Sequence, residues 1–144
     1  ITPLLKDVDK VIKSGADIIA FDATKRKRPF STKEIISKIK KANRLAMADC
    51  SNLDDAKNAI LEGVDIIGTT LAGYVGKQAK DTDEPDFKLV KQFRKLNCFV
   101  MAEGRYNSPK LAKKAMLAGA DAVTVGSAIT RIDNITSWFV KEIT

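Results

Sequence analysis

Residues 115–131 read AMLAGADAVTVGSAITR, the last turn of a helix followed by a glycine, an aspartate and a short apolar run. The same layout occurs twice more, in VIKSGADIIAFDAT (11–24) and AILEGVDIIGTTLAG (59–73). The glycine of each copy stands where a helix can end in a left-handed residue, a conformation that glycine adopts without a side-chain clash. Each copy therefore predicts the end of a helix, a tight turn and a strand.

The runs after these glycines are apolar on both faces, which is typical of parallel strands that helices cover on both sides. Two more such runs, RLAMADC (44–50) and NCFVMAEG (97–104), lie between the repeats. Helices are predicted over the intervening segments, namely 32–42, 53–62, 86–96, 109–118 and about 134–142. Strands that alternate with helices indicate an α/β fold with a parallel sheet.

Two architectures fit this alternation, an open doubly wound sheet and a (β/α)₈ barrel. The length of 144 residues favours the open sheet, because a barrel normally needs on the order of 200 residues or more. The absence of a G-x-G-x-x-G loop after any strand argues against the open sheet. Four of the five predicted strands end in polar groups, in chain order Asp22, Asp49, the pair Thr69 and Thr70, and Glu103. Only a barrel would turn these groups towards one another, so we predict a partial barrel.

Composition restricts the chemistry that this chain can perform. The sequence has no histidine and only two cysteines, Cys50 and Cys98, which disfavours a zinc site and histidine-based catalysis. The net charge of +7 comes largely from segments such as KRKRP (25–29) and KIKK (38–41). No aromatic residues interleave with these lysines, so a solvated basic surface is favoured over a nucleic-acid site. No stretch approaches the roughly 18 consecutive apolar residues of a membrane span, and the start of the chain is expected to be an interior point of a longer one.

Five motifs carry a resemblance to a known family: FDAT (21–24), MAD (47–49), IGTTLAGY (67–74), AEGR (102–105) and VGSAITR (125–131). In this order and at this spacing, the chain resembles the C-terminal five-eighths of N-acetylmannosamine-6-phosphate 2-epimerases, bacterial enzymes of sialic-acid catabolism. The resemblance implies that residues 1–144 form a single domain, with strands four to eight of a TIM barrel. It also implies an isomerase without metal or redox cofactor, whose catalytic lysine lies upstream of Ile1. A cytoplasmic location is expected on a separate ground, because the first residues lack the features of a secretory signal.

The implied reaction interconverts N-acetylmannosamine 6-phosphate and N-acetylglucosamine 6-phosphate. The proton at C2 is acidic because the open-chain sugar has a carbonyl at C1, so a base removes it and an acid returns one to the opposite face. By resemblance, Glu103 matches the family's essential glutamate, and Asp49 matches an aspartate near its lysine. Both are predicted to be catalytic. The residues predicted to bind the sugar or its phosphate are Asp22, Thr70, Gly104, Arg105, Gly126, Ser127 and Arg131.

Several of these polar residues also have a structural interpretation. Asp22 could bond the loop that contains Thr24, and Tyr74 could pack on its neighbours instead of covering the sugar. Cys50 adjoins the predicted pocket without an evident activating group, so an inert role is favoured. Three further acids begin strands at the opposite rim, where a stabilising role is expected: Asp17, Asp65 and Asp121.

Two other functions stay open beside the epimerase. One is another phosphate-binding barrel enzyme, a phosphosugar isomerase or aldolase, because a fold does not fix a function. The other is a basic domain that binds nucleic acid without catalysis. The epimerase interpretation predicts a small-molecule amino-sugar phosphate as the partner, with neither nucleic acid nor membrane, and leaves a homodimer open.

Overall fold

The computed structural model describes residues 2–75 and 84–144 and has the predicted alternation of helices and strands. Its elements are α1 (Leu5–Lys13), β1 (Ile18–Asp22), α2 (Thr32–Lys41), β2 (Leu45–Asp49), α3 (Leu53–Leu61), β3 (Ile66–Gly68), α4 (Phe87–Phe93), β4 (Phe99–Glu103), α5 (Pro109–Ala118), β5 (Ala122–Thr124), α6 (Ser127–Thr130) and α7 (Ile132–Ile143). The predicted strands are confirmed, with bounds that differ by one or two residues.

The strands form one parallel sheet in the order β1-β2-β3-β4-β5. Each crossover between neighbouring strands contains a helix, as a parallel sheet requires. The register sets Asp22 beside Asp49 and Asp49 beside Gly68, and it sets Glu103 beside Thr124. The polar groups that follow the strands therefore meet at one edge of the sheet.

Local sequence determines where the helices begin. The Ser31 hydroxyl accepts a hydrogen bond from the Glu34 backbone N–H, while the Glu34 carboxylate accepts one from the Ser31 N–H, so α2 starts with a capping box. The side chains of Asn52 and Ser108 also accept hydrogen bonds from backbone N–H groups and so cap α3 and α5. Two helix bounds differ from the prediction by more than one residue. α4 ends at Phe93, where the chain continues with backbone hydrogen bonds between residues three apart, and α7 begins at Ile132.

The turn after α5 shows why a glycine occurs in each repeat. Gly119 has φ 108°, in the left-handed region, and a Cβ at this position would lie 2.7 Å from Cγ of Arg94. Gly15 and Gly63 have φ 86° and 94° at the equivalent turns, so the predicted helix ends are confirmed.

The core is centred on β2 and β3, which are buried at nearly every position, whereas β4 alternates between buried and partly exposed side chains. The largest fully buried side chains include Phe21, Ile19, Ile67, Val100, Phe93 and Ile39. The nearly continuous burial of β2 and β3 explains the absence of alternation in their sequences. Across the described ranges, the helices are too short or too polar to cross a membrane.

Candidate active site

Asp49 ends β2 and is the most deeply buried acid at the carboxyl edge of the sheet, with 1% of its surface exposed. Its Oδ1 accepts a hydrogen bond of 2.7 Å from the Thr70 hydroxyl. Burial raises the pKa of Asp49 to about 6, the Thr70 hydrogen bond opposes that rise, and the negative charges of Glu103 and Asp22 add to it. Asp49 therefore titrates close to neutral pH.

Glu103 ends β4, and its backbone is fixed by the strand next to it. The Thr69 hydroxyl donates to the Glu103 carbonyl oxygen at 2.9 Å and accepts from the Glu103 N–H at 3.1 Å. Burial raises the pKa of the Glu103 side chain, and a hydrogen bond with Thr70 lowers it in part. Thr69 thus holds the main chain of Glu103, and the next residue, Thr70, donates to the carboxyl group of Asp49.

A cavity of about 280 Å³ opens beside Glu103. Its walls are Thr70, Tyr74, Glu103, Gly104, Arg105, Tyr106, Asn107, Thr124, Gly126 and Ser127. Six of the residues predicted from the sequence thus come together here, from the loops after β3, β4 and β5. Asp49 lies behind Thr70 and is not part of the cavity wall.

Arg105 is held at the mouth of this cavity in an unusual backbone conformation, with φ 64°. Its guanidinium donates a hydrogen bond of 2.8 Å to the carbonyl of Ala72 and lies 3.9 Å from the centre of the Tyr74 ring. Gly73 has φ 75°, and a Cβ there would come within 3.3 Å of the guanidinium. The close packing explains this glycine, and it gives the cavity a fixed positive group with further N–H donors.

Asp22 has a different environment from the other two acids. Its Oδ1 accepts from the backbone N–H and the hydroxyl of Thr24 at 2.8 and 2.6 Å, and its carboxylate pairs with Arg26 at 2.6 Å and Arg28 at 3.4 Å. Arg28 also donates to the carbonyls of Asp22 and Thr24. Asp22 therefore orders the loop after β1, and its predicted contact with substrate stays a prediction.

Arg131 follows α6 and is not part of the cavity wall. Its guanidinium makes two hydrogen bonds to the Asp133 carboxylate, at 3.1 and 2.6 Å, and more than half of its side chain is exposed. The pairing lowers the pKa of Asp133 and raises that of Arg131. The structure thus does not join Arg131 to the other predicted phosphate ligands.

Three wall residues were not predicted from the sequence, Tyr106, Asn107 and Thr124. Tyr106 is 3% exposed and packs edge-to-face on Phe87, with ring centres 6.1 Å apart. Burial raises the pKa of Tyr106 to about 12, so its hydroxyl keeps its proton. The only signal in the sequence was their position beside a motif: Tyr106 and Asn107 directly follow AEGR, and Thr124 directly precedes VGSAITR.

Cys50 follows Asp49 and is completely buried, with its thiol 3.3 Å from the carbonyl oxygen of Ala48. Burial raises the pKa of this thiol, so it stays protonated and a poor nucleophile. Residues 2–75 and 84–144 bring no three histidine, cysteine or acidic side chains together as a metal site.

Comparison with known proteins places this geometry in a family. The family model described as N-acetylmannosamine-6-phosphate epimerase matches residues 1–144. The chain belongs to this family. Among relatives that carry the name N-acetylmannosamine-6-phosphate 2-epimerase, one from Haemophilus influenzae is 50% identical over 143 residues, 99% of this chain and 62% of its own length. One from Vibrio vulnificus is 56% identical over 139 residues, 96% of this chain and 61% of its own length.

A solved structure extends the family assignment to the fold. The N-acetylmannosamine-6-phosphate 2-epimerase of Clostridium perfringens superposes with a TM-score of 0.94 at 41% identity, over 99% of this chain and 63% of that chain. The chain thus spans about three-fifths of the length of the epimerases that it matches. Its five parallel strands are part of a TIM-type barrel, so the predicted partial barrel and the predicted family are confirmed.

Proposed function

We propose that the whole protein interconverts N-acetylmannosamine 6-phosphate and N-acetylglucosamine 6-phosphate, and that this chain supplies the acidic and phosphate-binding parts of the active site. One observation carries the proposal: the partly buried Glu103 lines a cavity together with Thr70, and the Thr70 hydroxyl donates a hydrogen bond to the buried carboxyl group of Asp49. Burial raises the pKa of both acids. Buried acids of this kind are suited to proton exchange near neutral pH. Membership of the epimerase family indicates C2 of the sugar as the carbon that loses and regains the proton.

Glu103 is the proposed proton-exchanging group, because its carboxyl group lies in the cavity wall while the neighbouring threonine fixes its backbone. A fixed backbone positions an acid with little further loss of freedom when substrate binds. Asp49 lies one side chain deeper, and we propose that it orients the catalytic lysine that the family resemblance implies. An adjacent carboxylate favours the charged form of a lysine, so this role is positioning and proton exchange rather than activation.

The phosphate is proposed to bind where the loop after β5 meets the loop after β4. Gly126 and Ser127 line that side of the cavity, and Gly104 and Arg105 line the other. Arg131 could join them only by exchanging its present partner, the Asp133 carboxylate, for a phosphate oxygen. Such an exchange keeps the bidentate geometry that arginine forms with either anion.

We further propose that residues 1–144 act as one domain and that the partner is a small sugar phosphate rather than nucleic acid. A single cluster of buried side chains, reaching from Val8 to Ala120, supports the first point. The acids in the cavity wall and the lack of aromatic side chains among the basic segments support the second. A cytoplasmic location fits a substrate whose phosphate prevents unaided passage through a bilayer.

The test is a coupled assay of the purified whole protein with N-acetylmannosamine 6-phosphate in deuterium oxide. We expect N-acetylglucosamine 6-phosphate as the product, with one deuterium at C2. Glucose 6-phosphate serves as the matched control, because it has the phosphate without the N-acetyl group. If the acetylated sugar is unchanged and another phosphosugar is isomerised or cleaved, the alternative barrel enzyme takes the place of this proposal.

A further inference from the structure

Tyr74 lines the cavity, and the guanidinium group of Arg105 covers one face of its ring. The guanidinium carbon lies 3.9 Å from the ring centre, which is close enough for a cation–π interaction. A Cβ at Gly104 would lie 3.9 Å from Cε2 of the same ring, so the ring also packs against the residue before Arg105. This contact therefore joins the loop after β3 to the loop after β4.

Two further features of the chain fit around the same guanidinium group. It donates a hydrogen bond of 2.8 Å to the Ala72 carbonyl, and the missing side chain of Gly73 leaves room for it. Arg105 itself has φ 64°, in the left-handed region that residues other than glycine seldom adopt. Such a conformation persists where the surrounding contacts determine it, and it is frequent at binding sites. The loop after β3 is thus shaped around this cation.

The charge of Arg105 is not balanced by a carboxylate in residues 2–75 and 84–144, whose ion pairs all involve other cations. A guanidinium group has five N–H donors in a planar fork, and the bond to Ala72 uses one of them. Arg105 lines the same cavity as Gly126 and Ser127. An anionic ligand in this cavity would supply the charge and the acceptors that the guanidinium group can still bind.

We propose that Tyr74 is a positioning residue for phosphate binding: its ring holds the Arg105 guanidinium so that the remaining N–H donors meet a phosphate group in the cavity. The inference rests on the proposed function, because it takes the phosphate site between the loops after β4 and β5 as given. An arginine already held in its binding geometry loses less freedom when the ligand binds. The ring therefore raises the affinity for phosphate without touching it.

The same contact decides between two roles for Tyr74. An aromatic ring at a cavity could also stack on the sugar, but here a cation occupies one face of the ring. A sugar could use that face only by displacing the guanidinium group. Tyr74 is 56% exposed, so its replacement is not expected to disturb the core. Both roles can therefore be compared in folded variants.

The first test measures the affinity of the whole protein for inorganic phosphate by titration calorimetry. Tyr74→Leu keeps an apolar side chain but removes the ring, so we expect the Kd to rise about fivefold. Tyr74→Phe keeps the ring and should stay within about twofold of the native Kd. The matched control is Lys114→Met, which breaks a second cation–π pair, 4.3 Å from the Phe87 ring centre, by changing a residue outside the cavity wall. Its Kd should not change.

The second test asks whether Tyr74 acts through Arg105. In an Arg105→Ala background, Tyr74→Leu should change the Kd for phosphate by less than about twofold, because the group that the ring holds is already absent. A ring that contacted the ligand directly would still contribute in that background. A further loss of about fivefold there would therefore overturn the positioning role.

Kinetics with N-acetylmannosamine 6-phosphate separate this proposal from the function on which it rests. In an active epimerase, Tyr74→Leu should raise KM about fivefold and lower kcat by a smaller factor, and Tyr74→Phe should restore KM. If the native protein leaves this sugar unchanged while the phosphate affinities follow the expected order, the epimerase proposal fails and the role of Tyr74 stands. If Tyr74→Leu alters neither the Kd nor KM, or phenylalanine loses as much as leucine, the role is wrong even in an active epimerase. Should the leucine variant fail to fold, Tyr74→Met gives the same comparison with phenylalanine.

Discussion

The two edges of the sheet use the same acidic residues in opposite ways. At the amino edge, Asp65 accepts a hydrogen bond of 2.8 Å from the Ala46 N–H and pairs with Lys40. Asp121 repeats the arrangement, with the Val100 N–H at 2.8 Å and Arg94 at 3.1 Å. Each of these acids joins the start of one strand to its neighbour and has a cation beside it.

At the carboxyl edge, the Thr70 hydroxyl donates to Asp49, and neither Asp49 nor Glu103 has a cation paired with it among the described residues. Their pKa values are raised because burial disfavours the charged form and nothing nearby compensates fully. Asp22 shows that the edge alone does not decide this, since its two arginines neutralise it. The comparison shows that an acid of this sheet has a raised pKa, and so can exchange a proton, when it is buried and no cation pairs with it.

The largest expected effect comes from Glu103→Gln in the whole protein. Glutamine keeps the size and hydrogen-bonding ability of the side chain but cannot exchange a proton. We expect kcat and C2 deuterium exchange to fall by about 10² or more, with little change in substrate binding. Steady-state kinetics with N-acetylmannosamine 6-phosphate measure both quantities. Near-normal exchange in this variant would make Glu103 a loop residue and move the assignment to Asp49 or Asp22.

The second prediction concerns stability and tests the cost of burying Asp49. In the folded protein its pKa is about 6, against an ordinary value of 3.8. The contribution of Asp49 to the free energy of unfolding is therefore fully present below about pH 3.8 and is lost as the pH rises through 6. At about 1.4 kcal/mol per pKa unit, the loss is about 3 kcal/mol at most. Asp49→Asn has no such loss and should gain about 2 kcal/mol relative to the native protein between pH 4.5 and 7.5.

Urea unfolding of both proteins at the two pH values measures this change. The native protein should lose stability relative to the variant as the pH rises. If the free energy of unfolding depended on pH identically in the two proteins, ionisation of Asp49 would cost the folded state no stability.

The third prediction compares one arginine from each edge. Arg131→Ala should raise KM for the sugar phosphate about tenfold or more, because the phosphate loses a charge-assisted partner. Some loss of kcat should accompany it, since phosphate binding also positions the sugar. Arg94→Ala, at the amino edge, is the matched control and should leave KM unchanged. If Arg131→Ala and Arg94→Ala have the same KM, the phosphate binds elsewhere, and Arg131 only forms its ion pair with Asp133.

The fold could be predicted in most of its detail because each local signal agreed with the others. The three glycines, the unalternating apolar runs and the N-caps Ser31, Asn52 and Ser108 all indicate the same alternation, and the structure has it. The helix ends were predicted less accurately, as α4 and α7 show. The last turn of a helix depends on local contacts that the spacing of apolar residues does not reveal.

The site was predictable where position along a strand decides the outcome, and not where a side chain chooses among partners. Because Thr70 and Glu103 stand at the ends of predicted strands, the sequence alone predicted that both lie at one edge of the sheet. The sequence did not predict the ion pair between Arg131 and Asp133, because both side chains are exposed and lie only two residues apart in the chain. Nor did it show Tyr106, whose burial depends on Phe87 from a distant helix.

The smallest expected effect is that of Asp121→Asn, which tests the amino edge directly. Asparagine keeps an oxygen that can accept from the Val100 N–H but loses the charge that pairs with Arg94. The pair is partly exposed, so we expect a loss of only about 1 kcal/mol in the free energy of unfolding, with kcat and KM unchanged in the folded fraction. Urea unfolding and steady-state kinetics on the same preparation give the two values. A fall in kcat without a fall in stability would show that an acid at this edge reaches the chemistry, and the division between the two edges would then be wrong.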